Sequence, residues 1–255
     1  MKKVRKNKMK KIYALLLALC LLLSLAACGS APAAAGDSSQ TPAEAPAAEA
    51  PEAEEPAAEE PEEEEPAAEP QDEAPAQEAL RGSIVDGAYE NALLKLRIAC
   101  PEGWFFYDDE QIAALNNATS ELMSGTDVAD YLNKNGQFMD MVMASASGNS
   151  INLILQPKQA LLDAYSDEQV FTMSESTFKA QFTAAGMEIS LYEPLTMQVG
   201  GQERTVLHMV LAGDTEVNEY QIWYRDSDAY MGILTIALPD GSDVQPILDG
   251  ITSLG

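Results

Sequence analysis

The 255-residue chain carries 41 acidic residues against 15 basic ones, a formal net charge of −26. Seven of the basic residues fall within the first eleven positions, so the chain from Cys28 onward holds eight basic residues and every acidic one. That balance excludes nucleic acid and anionic lipid headgroups as partners attracted by net charge, and it makes the acidity a solubility device.

The basic opening (Lys2, Lys3, Arg5, Lys6, Lys8, Lys10, Lys11) runs into an almost unbroken apolar stretch from Ile12 to Leu25. A charged segment followed by a short apolar one predicts an export signal, since the stretch is too short to span a bilayer comfortably as a permanent helix. It ends in Leu25-Ala26-Ala27-Cys28-Gly29, which resembles the bacterial lipobox. The resemblance implies cleavage between Ala27 and Cys28, removal of residues 1–27, and a covalent diacylglycerol on the Cys28 thiol. It implies no other cofactor. The membrane is then reached through the lipid, and two acyl chains hold stably where one would be marginal. The expected location is the extracytoplasmic face of a bacterial membrane.

Residues 28–80 follow as the lipidated cysteine and a segment of Ala, Pro, Glu, Ser and Gln without an aromatic residue. Prolines recur at Pro46, Pro51, Pro56, Pro61, Pro66, Pro70 and Pro75. Such a segment buries no core, its prolines interrupt any helix, and repulsion among its glutamates extends it. It reads as a disordered tether, about 3 Å per residue when stretched.

Residues 81–255 carry a net −17 and are enough for one hydrophobic core. Alternation predicts a strand over 93–100, with Leu94, Leu96 and Ile98 on one face, then Pro101-Glu102-Gly103 turning into a strand at Trp104–Tyr107. Asp108 and Asp109 can cap a helix to about Asn116, and a second short helix follows Thr126. Strands are predicted at Phe138–Ala144 and Ile151–Gln156. Ser166-Asp167-Glu168-Gln169 has capping-box spacing and opens a helix to about Ala185, ended by Gly186. A meander follows: 187–193, 195–199, the Gly200-Gly201 turn, 203–211, 218–225 and 230–238. A terminal helix is expected over 242–254, with Pro246 in its first turn. The fold class is therefore α+β, an antiparallel sheet covered by helices.

Tyr89-Glu90-Asn91, the apolar strand after it, and Pro101-Glu102-Gly103-Trp104 before an acidic helix start resemble the opening of PsbP-like domains. The closing strand Gly232–Leu238 is similar too. The resemblance implies an α/β/α sandwich and a habit of accessory or binding roles, with no shared catalytic apparatus and no active-site residue to transfer.

Reactive residues are few. His208 is the single histidine and lies in an apolar strand, which favours a core or sheet-edge role over a general base. With Cys20 cleaved away and Cys28 lipidated, Cys100 has no partner for an intramolecular disulfide and reads as an inert buried thiol. Met139, Met141 and Met143 alternate, which places them on one strand face spread over about 13 Å, a packing face rather than a copper site. Asp226-Ser227-Asp228 and Asp240-Gly241-Ser242-Asp243 read as solvated turns rather than calcium loops. Trp223 shares a strand face with Glu219, Gln221 and Arg225; it reads either as a surface anchor for a partner or as a residue under a covering helix. The expected function is a non-enzymatic, lipid-anchored binding or accessory protein, monomeric, with a possible protein partner and no nucleic acid. The alternatives are a small-ligand or metal-binding module and, behind it, a hydrolytic enzyme built on Cys100 and His208.

Overall fold

The computed structural model describes residues 80–119, 122–123, 128–213 and 215–254, and these form an α+β arrangement of two antiparallel sheets with helices outside them. Cys28, the Ala27–Cys28 cleavage point and the tether lie outside the described residues.

Strands β1 (Ser83–Val85) and β2 (Ala88–Asn91) pair as a hairpin through Asp86 and Gly87, at φ 48° and 73°. Both central residues at positive φ is the geometry that Asp-Gly suits. The strand expected over 93–100 is shorter, β3 (Leu96–Ala99). Asn91 Oδ1 accepts the Leu94 N–H at 2.9 Å, and this local bond holds residues 92–95 as a turn. Leu94, Leu96 and Ile98 nevertheless bury together, as the alternation requires.

After β4 (Trp104–Phe106), Asp108 and Gln111 form a reciprocal capping box that starts α1 (Asp109–Leu115). Helix α2 (Val128–Asn135) leads into β5 (Phe138–Ser145) and its antiparallel partner β6 (Ser150–Pro157). A 3₁₀ turn (Ala160–Ala164) precedes α3 (Asp167–Ala184), which the Ser166–Gln169 capping box opens as predicted. Next come β7 (Glu188–Val199), β8 (Gln202–Ala212), β9 (Val217–Tyr224) and β10 (Tyr230–Leu238). The two strands expected at 187–193 and 195–199 are one, running through Pro194. This is possible because β7 is an edge strand, where a residue without an N–H leaves no ladder bond unmade.

The expected terminal helix over 242–254 is corrected: α4 covers only Gln245–Asp249, and the chain continues as β11 (Ile251–Ser253) beside β3. Pro246 does sit in the first turn. Past Gly250, β-branched Ile251 and Thr252 favour a strand, and β3 has an open edge for them to pair with. The single expected sheet is accordingly two, a four-stranded sheet in the order β1-β2-β3-β11 and a seven-stranded one in the order β4-β5-β6-β10-β9-β8-β7.

The seven-stranded sheet is buried on both faces. Toward the four-stranded sheet, Met141, Met143, Leu153, Ile222, Leu234 and Ile236 meet Leu94, Leu96 and Ile98. On the other face Phe171, Phe178 and Phe182 of α3 pack on Leu207, Met209, Trp223 and Ile233. Burying each phenylalanine stabilises by about 3 kcal/mol, which holds α3 down although its apolar positions are few.

The methionine face is also corrected. A β-bulge between Met139 and Met141 breaks the alternation, so Met139 pairs with Ile154 whereas Met141 and Met143 pair with Leu153 and Ile151. Adjacent residues of β6 point to opposite faces, which puts Met139 on the face away from the other two.

Candidate functional site

A cavity of about 250 Å³ is lined by Asp163, Asp167, Arg204, Trp223, Arg225 and Asp226. It lies where the ends of β8 and β9 meet the 3₁₀ turn and the start of α3. Arg225 ties these parts together. It donates to the carbonyls of Leu162 at 2.5 Å and Tyr165 at 3.1 Å, and it is ion-paired with Asp167 at 2.6 Å. Lys158 reinforces the junction, donating to the Arg225 carbonyl at 2.8 Å and the Ser227 carbonyl at 3.1 Å, and pairing with Asp163 at 2.9 Å. Burial pushes the Asp167 carboxyl above the usual range, Arg225 and Arg204 pull it back, and Asp226 adds to the rise.

Trp223 belongs to the cavity wall but is not the exposed anchor that its polar neighbours suggested. It is 8% exposed, and its ring meets Phe171 of α3 edge-on at 4.9 Å. Of the two expectations, the covering helix is the one realised. Its sequence neighbours misled because Glu219 and Gln221, read as a wet face, are themselves buried. Gln221, Thr235 and Asn152 lie in direct register across β9, β10 and β6, and Gln221 Oε1, Thr235 Oγ1 and both Asn152 amide atoms are buried without a protein partner.

The structure does not bring the other singled-out residues together. Cys100 follows β3 in the smaller sheet, partly buried, and burial pushes its thiol up. His208 sits in β8 of the larger sheet, stacked flat on Tyr220 at 4.5 Å, with Nε2 3.1 Å from Asn218 Oδ1 and Nδ1 3.5 Å from Glu193 Oε1. In the turn at 240–243, Asp240 accepts the Ser242 hydroxyl and N–H and the Asn149 amide, and these bonds hold its carboxyl down at about 2. Its oxygens are thus spent on the turn itself. Asp226, by contrast, faces the cavity.

One cluster escaped the sequence reading. Asp140, the extra residue of the β5 bulge, is buried and accepts from Arg81 Nε at 3.2 Å, Gly82 N at 2.9 Å, Asn91 Nδ2 at 3.1 Å and the Tyr89 hydroxyl. Burial pushes its carboxyl up and the donors pull it back, with the balance above the ordinary value. Arg81 also pairs with Asp109 at 3.0 Å. The available signal was an acid inside the apolar run Phe138–Met143, since a carboxylate there needs donors brought to it. What the sequence did not supply was the bulge that turns it toward them.

No family model matches the chain, and no curated protein matches it. Among solved structures it is similar to the solution structure of cyanobacterial PsbP (CyanoP) from Synechocystis sp. PCC 6803, at 13% identity over 72% of this chain and 99% of that one, with a TM-score of 0.38. It is also similar to a crystal structure from Bacteroides thetaiotaomicron VPI-5482, at 8% identity over 69% of this chain, with a TM-score of 0.35. The match spans 48%, about half, of the Bacteroides chain's own length. A PsbP protein is thus among the similar structures; neither likeness transfers a site residue.

Proposed function

We propose that the protein is a bacterial lipoprotein, anchored through diacylglycerol on Cys28 at the extracytoplasmic face of the membrane, whose PsbP-like domain at 81–255 binds a ligand or partner without catalysing a reaction. The observation that carries the binding reading is the cavity at the α3 junction: its wall is rigidly held by Arg225 and Lys158, yet it is open to solvent and lined by charge. Preorganised side chains on packed elements suit recognition. Among the described residues the wall holds no serine, cysteine or histidine, and Cys100 follows β3 of the smaller sheet whereas His208 lies in β8 of the larger one, which supports a binding role over nucleophilic catalysis. The anchoring part rests on Leu25-Ala26-Ala27-Cys28 and the tether after it.

The test is metabolic labelling of cells expressing the full-length chain with an alkyne fatty acid, followed by membrane fractionation. Label and membrane association are expected for the native chain and lost in Cys28→Ser. Label that persists in Cys28→Ser overturns the lipid anchor. Crosslinking of the labelled protein on intact cells then reads the accessory role, with a specific captured partner as its expected outcome.

A further inference from the structure

Two residues of the cavity wall carry opposite charges that no ion pair neutralises among the described residues. Among the described residues the Arg204 side chain makes no hydrogen bond or ion pair; its guanidinium lies over the Tyr224 ring, 4.7 Å from the centroid. Asp226, exposed just past the end of β9, makes none either among the described residues. They act on the same neighbours with opposite sign: Arg204 pulls the Asp167 carboxyl and the Tyr224 phenol down, and Asp226 pushes both up. The other charges are engaged, Arg225 by Asp167 and two carbonyls, Asp163 by Lys158.

We propose that this cavity binds a small zwitterion of α-amino-acid size, its carboxylate on Arg204 and its ammonium on Asp226. A guanidinium presents a planar fork of donors that matches a carboxylate bidentately. A plain anion suits the wall poorly, because three aspartates outnumber two arginines there and the domain around it is acidic. A plain cation meets Arg204. A molecule with both charges answers the two free groups at once, and a volume of about 250 Å³ accommodates a single amino acid. The inference rests on the binding reading above and names its ligand class.

Full-length protein in detergent micelles is titrated with glycine, leucine and arginine, each beside its N-acetyl and carboxamide derivatives, followed by calorimetry and tryptophan fluorescence. Free amino acids are expected to bind saturably, and blocking either end to weaken binding by about tenfold or more, the loss of one charge-assisted contact. Arg204→Gln should erase the preference over the carboxamide. Asp226→Asn, a change at an exposed position, should erase the preference over the N-acetyl form. Blocked derivatives that bind as well as free ones overturn the inference, as does a lack of saturable binding at ~10 mM. A cell-surface partner captured by a protein that binds no free amino acid upholds the accessory function and removes the zwitterion site.

Discussion

Glu219 is the residue whose setting most directly couples protonation to folding. It lies on the helix-covered face of β9, fully buried, with Gln221 Nε2 at 3.0 Å as its hydrogen-bond partner. Burial raises its carboxyl from 4.5 to about 7. Between those values the folded chain holds a proton that the unfolded chain releases. The stability this contributes is complete below about 4.5 and is lost as pH rises through about 7. The gap corresponds to on the order of 3 kcal/mol. Urea unfolding of the full chain should therefore show the free energy falling by that order between pH 4.5 and 8. Glu219→Gln should flatten this component and be the more stable protein at the upper end. A variant with the native slope would remove Glu219 from that role. Nothing in the local sequence foretold it, because Glu219 and Gln221 read as the polar side of an alternating strand. The face they share with Trp223 is closed by parts of the chain far apart in sequence, α3 among them.

Turns were the most legible elements and, at one point, the most tightly constrained. Gly200 and Gly201 join β7 to β8 at φ 57° and 77°. A Cβ on Gly200 would stand 1.8 Å from the Ile251 carbonyl oxygen, whereas one on Gly201 would meet nothing within 4 Å. Gly200 N–H also donates to the Leu248 carbonyl at 3.0 Å, so the turn is docked against α4 and β11. Gly200→Ala should cost about 3 kcal/mol, combining backbone strain with a clash. Gly201→Ala should cost about 1 kcal/mol, the left-handed conformation alone. Thermal unfolding of the two variants reads the difference, and equal losses would mean that β11 yields. The pair of glycines announces a hairpin, but which of them is indispensable follows from β11, an element the sequence presented as helix.

Across the molecule, the Asp140 cluster joins the start of the described chain to the middle of the large sheet. Arg81 and Gly82 reach it from one end, Tyr89 and Asn91 from the small sheet, and Asp109 adds an outer pair to Arg81. Removing one partner of a buried, hydrogen-bonded charge pair costs about 3–5 kcal/mol, since the other is left uncompensated. Asp140→Asn places an amide donor among donors and should destabilise the full chain by about that amount in urea unfolding. Lys179→Ala, which removes only the exposed Glu175 pair of α3, should change stability by about 0.5 kcal/mol or less. Equal effects would demote Asp140 to an ordinary polar contact.

By itself the sequence determined the α+β class, the capped starts of α1 and α3, the long central strands, and the expectation of a lipidated, tethered chain. Each of these follows from periodicity, capping residues or a contiguous motif, and so from interactions within a few residues. Tertiary structure alone decided the rest. It split the sheet in two, made β11 from an expected helix, used the β5 bulge to turn Asp140 inward and Met139 away, and covered Trp223 with α3. It also brought Arg204, Asp226 and Asp167 to one cavity from three separate elements. Those outcomes depend on which distant surfaces close over one another, and pairing and burial at long range leave no periodic trace in any one segment.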